Sequence, residues 1–213
     1  MTILDLTALA DVIVGVVPPE RTLIVGIDGP GGSGKSTLGR LLGATLGAVV
    51  VEGDDFYWPS PQPEAPDLDG KTIGSNFDWR RLRDQVIAPA AARLPVRYQR
   101  YDWDNDQLGV WVEIAAGAPI VIEGLFVTRP EIRHLLTVRI WVETPRTTRL
   151  ARGLARDGEK ARTQWEEEWM PEEDRYVEQL APASHCEFVV DGSGSVRLDA
   201  STRVVMISWP RIA

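Results

Sequence analysis

Apolar and polar positions alternate along the chain in two rhythms. Short, nearly unbroken apolar runs are separated by longer stretches in which apolar residues recur every three or four positions. Unbroken runs of this length suit strands buried on both faces of a parallel sheet, and the longer period suits helices packed against it. Runs at Thr22–Asp28, Ala48–Val51, Pro119–Gly124, Val138–Val142 and Glu187–Asp191 predict five mainly parallel strands. Ahead of them, Leu4–Val17 predicts an amphipathic helix with Leu4, Leu6, Leu9, Ile13 and Val17 on one face, ended by Pro18-Pro19. Ser36–Leu46 predicts the helix between the first two strands, closing a right-handed βαβ unit.

Further along, Asn76-Phe77-Asp78 opens a helix with Asp78 as N-cap and Trp79–Leu94 as body, interrupted at Pro89. Val96–Trp103 is alternating and aromatic, the pattern of a hairpin or edge ribbon. Pro130–Leu136 reads as a short helix. Arg162–Leu180 reads as a strongly charged helical stretch divided at Pro171, with Trp165, Trp169, Tyr176 and Leu180 as its packing side. Pro59–Gly74, rich in Pro, Asp and Gly, is a long loop and a candidate substrate lid. Within the tail Arg197–Trp209, Val204–Ile207 predicts an edge strand. Nothing marks a linker or a repeat, so residues 1–213 are expected to form one α/β domain with helices on both faces of the sheet.

The first strand runs into Gly29-Pro30-Gly31-Gly32-Ser33-Gly34-Lys35-Ser36-Thr37, which fits G-x-x-x-x-G-K-[ST], the phosphate-binding P-loop, in the strand-to-helix context that the motif requires. Its glycines let the backbone turn sharply with N–H groups inward, and the following helix adds its N-terminal amides. Lys35 would bring a full charge to the β- and γ-phosphates of ATP, and the Ser36 hydroxyl would reach Mg²⁺. Gly29, Gly31 and Gly34 also satisfy G-x-G-x-x-G, with Glu52 and Asp54 near the distance of a ribose contact. Lys35-Ser36 has no role in that dinucleotide reading. The P-loop NTPase fold is therefore the expectation, with a small aromatic hairpin and a helical lid added.

Composition narrows the partners. In 213 residues, 44% are apolar and 25% charged, and the net charge is −8, a balance unlike that of nucleic-acid or anionic-membrane binders. Cys186 is the single cysteine, and His134 and His185 are not spaced as a ligand pair. No apolar run approaches a membrane span. A cytoplasmic protein acting on a small molecule is the expectation.

Ligands of open α/β sheets sit beyond the carboxyl ends of the strands. The second strand delivers Glu52-Gly53-Asp54-Asp55-Phe56-Tyr57, where either aspartate can serve as general base or metal contact, or both can form a solvated turn. The run ending at Glu123-Gly124 places an acid where a P-loop enzyme organises Mg²⁺. After Val138–Val142, Arg149, Arg152 and Arg156 share one helix face, suited to phosphate or to ion pairs with Asp157 and Glu159. Asp78 and Asp102 offer carboxylates to sugar hydroxyls, and Tyr57, Trp58, Tyr101 and Trp103 offer flat faces to a planar group. Arg97 and Arg100 are the cations nearest that ribbon.

This ordered set resembles the uridine kinase and phosphoribulokinase group of P-loop kinases. It comprises the P-loop, Asp54-x-Phe56-Tyr57, Asn76-Phe77-Asp78, Tyr101-Asp102-Trp103, Glu123-Gly124 and the arginine row closing at Arg156-Asp157. The resemblance runs from about Thr22 to Asp191. It implies an ATP- and Mg²⁺-dependent kinase in which Asp54 takes the acceptor's proton, Asp78 binds sugar hydroxyls, Glu123 organises the metal and the arginines form a lid. A nucleoside is the first acceptor implied. Other small alcohols, phosphosugars and a regulatory ATP-binding role stand behind it. Where pyrimidine-reading members carry a histidine and an arginine, this chain has Trp103-Asp104-Asn105-Asp106-Gln107.

Overall fold

The computed structural model describes residues 2–60, 73–194 and 203–208. In chain order the elements are β1 (Thr2–Asp5), α1 (Leu6–Gly15), β2 (Ile24–Asp28), α2 (Lys35–Leu46), β3 (Val49–Glu52), α3 (Trp79–Leu82), α4 (Ala88–Ala91), β4 (Val96–Asp102), β5 (Gln107–Ile114), β6 (Ile120–Glu123), β7 (Val138–Glu143), α5 (Arg146–Asp157), α6 (Arg162–Gln164), α7 (Met170–Leu180), β8 (Phe188–Asp191) and β9 (Arg203–Ser208).

Among the described residues, seven strands form one sheet in the order β1-β9-β8-β7-β2-β6-β3. The run from β8 to β3 is parallel throughout and contains the five strands expected from the apolar runs. Two antiparallel strands extend the expected sheet. β9 adds to β8, and β1 closes that edge on β9 through pairs such as Ile3 with Val205. The predicted N-terminal helix therefore starts later than Leu4. Asp5 ends the strand and caps α1, its carboxylate accepting the Ala8 amide at 2.7 Å.

Alternation within the parallel strands sends side chains to two cores. On one face, Leu6, Leu9 and Ile13 of α1 and Leu38 and Leu42 of α2 pack on Val25, Ile27, Val121 and Ile140. Leu9 and Ile13 are completely buried. Truncating either to alanine is expected to cost about 2–5 kcal/mol. On the other face, Phe56, Phe77, Leu82, Val86, Ile87 and Tyr176 cover Ile24, Ile120, Ile122 and Trp141.

Both proline-containing helical stretches widen just before the proline. Residues Arg83–Ile87 and Trp165–Trp169 form π-turns, with Ala88 N–H bonding to Arg83 O and Met170 N–H to Trp165 O. A proline ring presses on the carbonyl four residues back, and a widened turn relieves that contact without ending the helix. The body predicted for Trp79–Leu94 thus continues through Pro89 to Ala91. Residues 130–136 contain only a single 3₁₀ turn, Arg133–Leu135, in place of the expected helix. Most of the predicted loop Pro59–Gly74 lies outside the described residues.

Strand register brings the carboxyl ends to one layer, with Glu123 opposite both Ile27 and Glu52, and Asp28 opposite Trp141. The chain leaves the central β2 toward β3 on one side and later reaches β7 on the other, so the crevice beyond β2 is a topological switch point. β4 and β5 form a separate two-stranded ribbon, as the aromatic alternation predicts, with a register shift between Gln99 and Tyr101.

Candidate functional site

The P-loop has the backbone that its glycines permit. Gly32 and Gly34 have φ of 73° and 101°, the left-handed region, and a Cβ on Gly32 would lie 2.6 Å from the Arg149 carbonyl of α5. The helix that follows begins at Lys35 with no side-chain cap and no acid in its first turn. Its N-terminal amides are left to an anion, so the loop fits the phosphates of ATP on its own geometry. Asp28 anchors the loop from below. It is completely buried and accepts from Gly29 N, Phe126 N, Thr128 N, Thr128 Oγ1 and Tyr176 Oη. Burial pushes its pKa up, and those donors oppose the rise.

Ser36 and Glu123, the expected metal contacts, lie together. The Ser36 hydroxyl donates to Glu123 Oε2 at 3.0 Å. A Cβ on Gly39 would stand 3.1 Å from Glu123 Cγ, so a small residue there lets the acid lie close against α2. Burial raises the Glu123 pKa, Lys35 and the Ser36 bond oppose it, and Asp54 and Glu52 add to the rise. Among the described residues no cluster of three His, Cys, Asp or Glu side chains is able to hold a metal by itself. A hydroxyl and one or two carboxylates fit Mg²⁺, which keeps waters and arrives with nucleotide phosphates.

The adjacent aspartates after β3 have different surroundings. Asp55 is buried, with its carboxylate held by Arg100 Nε at 2.8 Å and Tyr98 Oη at 3.4 Å. Asp54 is exposed and makes no hydrogen bond among the described residues. Beside it opens a cleft of about 530 Å³ in which Asp54, Arg100, Tyr101, Asp102 and Trp103 all take part. Trp103 is 59% exposed and rests against Tyr57 and Tyr101, with ring centroids 5.0 and 4.8 Å away.

Other expected acceptor contacts carry structural duties. Asp78 is buried and does cap the following helix, accepting Arg81 N at 2.9 Å and Arg81 Nε at 3.2 Å. Arg81, which sequence reasoning did not single out, also donates to the carbonyls of Asp55 at 2.9 Å and Tyr57 at 3.1 Å. Asp102 accepts from the amides of Asp104 and Asn105 and from Asn105 Nδ2, pinning the hairpin turn. Tyr101 donates to Asp106 across the same turn. Arg97 stays outside the cleft, paired with Glu113 at 3.4 Å and stacked over Trp111.

The three arginines expected to form a lid do not act as one surface row. Arg149 is buried against Glu173, Nη1 to Oε2 at 2.7 Å, while Glu173 Oε1 accepts Gly31 N–H at 2.7 Å. Arg152 Nη1 donates to the carbonyls of Gly32 at 3.2 Å and Gly192 at 2.7 Å, clamping the P-loop from α5. Arg156 turns outward to Asp157 and lies over Trp165. Glu173 was legible only as one of many acids in Arg162–Leu180. The neighbouring Glu172 accepts Gly74 N–H at 2.9 Å, so α7 bonds both to the P-loop and to the segment ahead of Asp78.

A P-loop on the central strand, Ser36 against Glu123 and a cleft reached by an aspartate with no hydrogen bond among the described residues are features expected of a P-loop kinase of small molecules. In sequence the chain is similar to curated uridine kinases. It is 28% identical over 183 residues to a uridine kinase of Deinococcus deserti, covering 79% of this chain and 82% of that one. A candidate uridine kinase from Bacillus stearothermophilus superposes with a TM-score of 0.65 at 21% identity, over 86% of this chain and 96% of its own. A candidate fructose transport system kinase from Silicibacter superposes at 0.62 with 22% identity, over 85% and 93%. No family model matches the chain. No helix among the described residues is long and apolar enough to cross a membrane.

Proposed function

We propose that this protein transfers the γ-phosphoryl group of ATP to a hydroxyl of a small uncharged acceptor, with a nucleoside the first candidate. The observation that carries the reading is Asp54, an exposed carboxylate without a hydrogen-bond partner among the described residues, in the same electrostatic neighbourhood as Glu123 and on the wall of the acceptor cleft. Phosphoryl transfer is mainly positioning and charge neutralisation. In this arrangement the P-loop amides hold the phosphates, Lys35 offsets charge on the transferred group and Arg152 keeps the loop in shape. Ser36 and Glu123, with Asp54 nearby, would hold Mg²⁺, which supplies charge neutralisation when bound. Asp54 takes the acceptor hydroxyl's proton, and Trp103 and Tyr101 pack against its planar part. The D. deserti relative, named a uridine kinase, supports uridine as the first acceptor to try.

The test is a coupled ATP-consumption assay across ribonucleosides, 2′-deoxynucleosides, pantothenate, glycerate and phosphosugars, with products confirmed by mass. Turnover is expected on an unphosphorylated hydroxyl compound and is expected to be largely lost in Lys35→Ala. Consumption of ATP with none of the panel would overturn the reading.

A further inference from the structure

Among the described residues, Arg100 is the one basic side chain lining the acceptor cleft, and its orientation is imposed from behind. Its Nε donates to buried Asp55 at 2.8 Å and Nη2 to Glu52 at 3.3 Å. A guanidinium has five N–H donors in a rigid fork. Two are used here, so Nη1 and one Nη2 hydrogen are without partners among the described residues, on a side chain that lines the cleft and is 46% exposed. The register shift between Gln99 and Tyr101 falls at this residue of β4.

The surrounding charge tells what that fork can take. Glu52, Asp54, Asp55 and Asp102 line the same cleft, four carboxylates against one guanidinium. Asp55 and Glu52 already balance Arg100, so a second anion would be drawn to one neutralised cation and repelled by the remaining acids. A neutral group meets no such penalty. Paired lone pairs on a carbonyl, ring nitrogen or hydroxyl match the fork, and Trp103, Leu108 and Val110 supply apolar surface beside it.

Resting on the kinase reading above, we infer that Arg100, held in place by Asp55 and Glu52, is the acceptor-specificity residue. It donates to a neutral hydrogen-bond-accepting edge, and the acids around it exclude acceptors carrying a phosphate ester remote from the reacting hydroxyl.

The experiment compares wild type with Arg100→Lys and Arg100→Met on matched acceptors: uridine with uridine 3′-monophosphate, ribulose with ribulose 5-phosphate and fructose with fructose 6-phosphate. Lysine keeps a charge for Asp55 but loses the fork, so it guards against a variant that merely unfolds; thermal melting is recorded for each. Wild type is expected to use only the unphosphorylated member of a pair. Both variants are expected to raise acceptor KM by roughly 10- to 100-fold, the range for bonds from a charged donor, with ATP KM within about twofold. A wild type that prefers a phosphorylated member, or folded variants with acceptor KM unchanged, would overturn the inference while leaving the kinase reading intact. A wild type inactive on these six and on the wider acceptor panel above would overturn both.

Discussion

The Glu173 carboxylate accepts the Gly31 amide hydrogen at 2.7 Å, so a side chain of α7 sits on the phosphate-binding loop. Its other oxygen holds Arg149, and the Lys35 charge is close enough to lower its pKa against the rise that burial imposes. Loop amide, guanidinium and ammonium are groups that also attract phosphate, and here they converge on an internal anion.

Glu173→Gln should therefore separate stability from nucleotide affinity. The glutamine oxygen can still accept from Gly31, but its amide turns a donor toward Arg149. Breaking one side of a buried ion pair costs about 3–5 kcal/mol. The variant is expected to melt lower without ligand, yet to bind Mg-ATP more tightly, because one negative charge near the triphosphate has gone. Thermal melting and an ATP titration check the two halves; weaker ATP binding would show that Glu173 braces the loop instead of competing with phosphate.

Asp54→Asn and Asp55→Asn should diverge in kind. Asp54 has no structural partner among the described residues, so its loss is expected to slow turnover by roughly 10²- to 10⁴-fold, the range for a positioned general base, with little change in melting. Asp55→Asn removes the charge that holds Arg100 and is expected to raise acceptor KM and lower stability, with a smaller effect on kcat. Reversed results would mean that Asp55 is the base and Arg100 its modulator.

The arginines of α5 are expected to fall into three classes, where their shared helix face and the family resemblance together predict one lid. Arg149→Ala strands buried Glu173 and should cost about 3–5 kcal/mol of stability. Arg152→Ala removes donors from the loop carbonyls and should raise ATP KM roughly tenfold, as loss of a charged hydrogen bond does. Arg156→Ala is at the surface, so melting should hold within about a degree of wild type, since such ion pairs contribute little. A fall in kcat for that variant would then report contact with nucleotide.

The parallel sheet was legible because each of its strands is an apolar run too short for a helix, and the P-loop because local glycine spacing sets its backbone. Asp78 as a helix cap was legible for the same local reason. What local pattern does not carry is pairing between distant segments. β1 is only Thr2–Asp5, and its identity depends on β9 at the other end of the chain. Gly31 and Glu173 are 142 positions apart, and Asp55 and Arg100 are 45 apart. Alternation along β4 put Arg100 near the ribbon, but only the fold puts Asp55 behind it and leaves Asp54 without a partner among the described residues.

Asp28 supplies a pH test of the loop's foundation. Burial raises its pKa above the ordinary 3.8, outweighing the bonds from Thr128, Tyr176 and Gly29. A carboxyl that holds its proton more tightly folded than unfolded contributes stability that is fully present below 3.8 and is lost as pH rises through the folded value. Asp28→Asn removes that titration and also points amide hydrogens at donors, so the variant should be the less stable protein throughout. The gap between the two is expected to shrink as pH rises from about 4, by at most about 1.4 kcal/mol per pH unit, and then to level off. Urea unfolding of both proteins between about pH 4 and 7 measures it. A gap that widens with pH would mean that the hydrogen bonds to Asp28 outweigh its burial and that the ionised carboxylate, not the acid, is the form the fold favours.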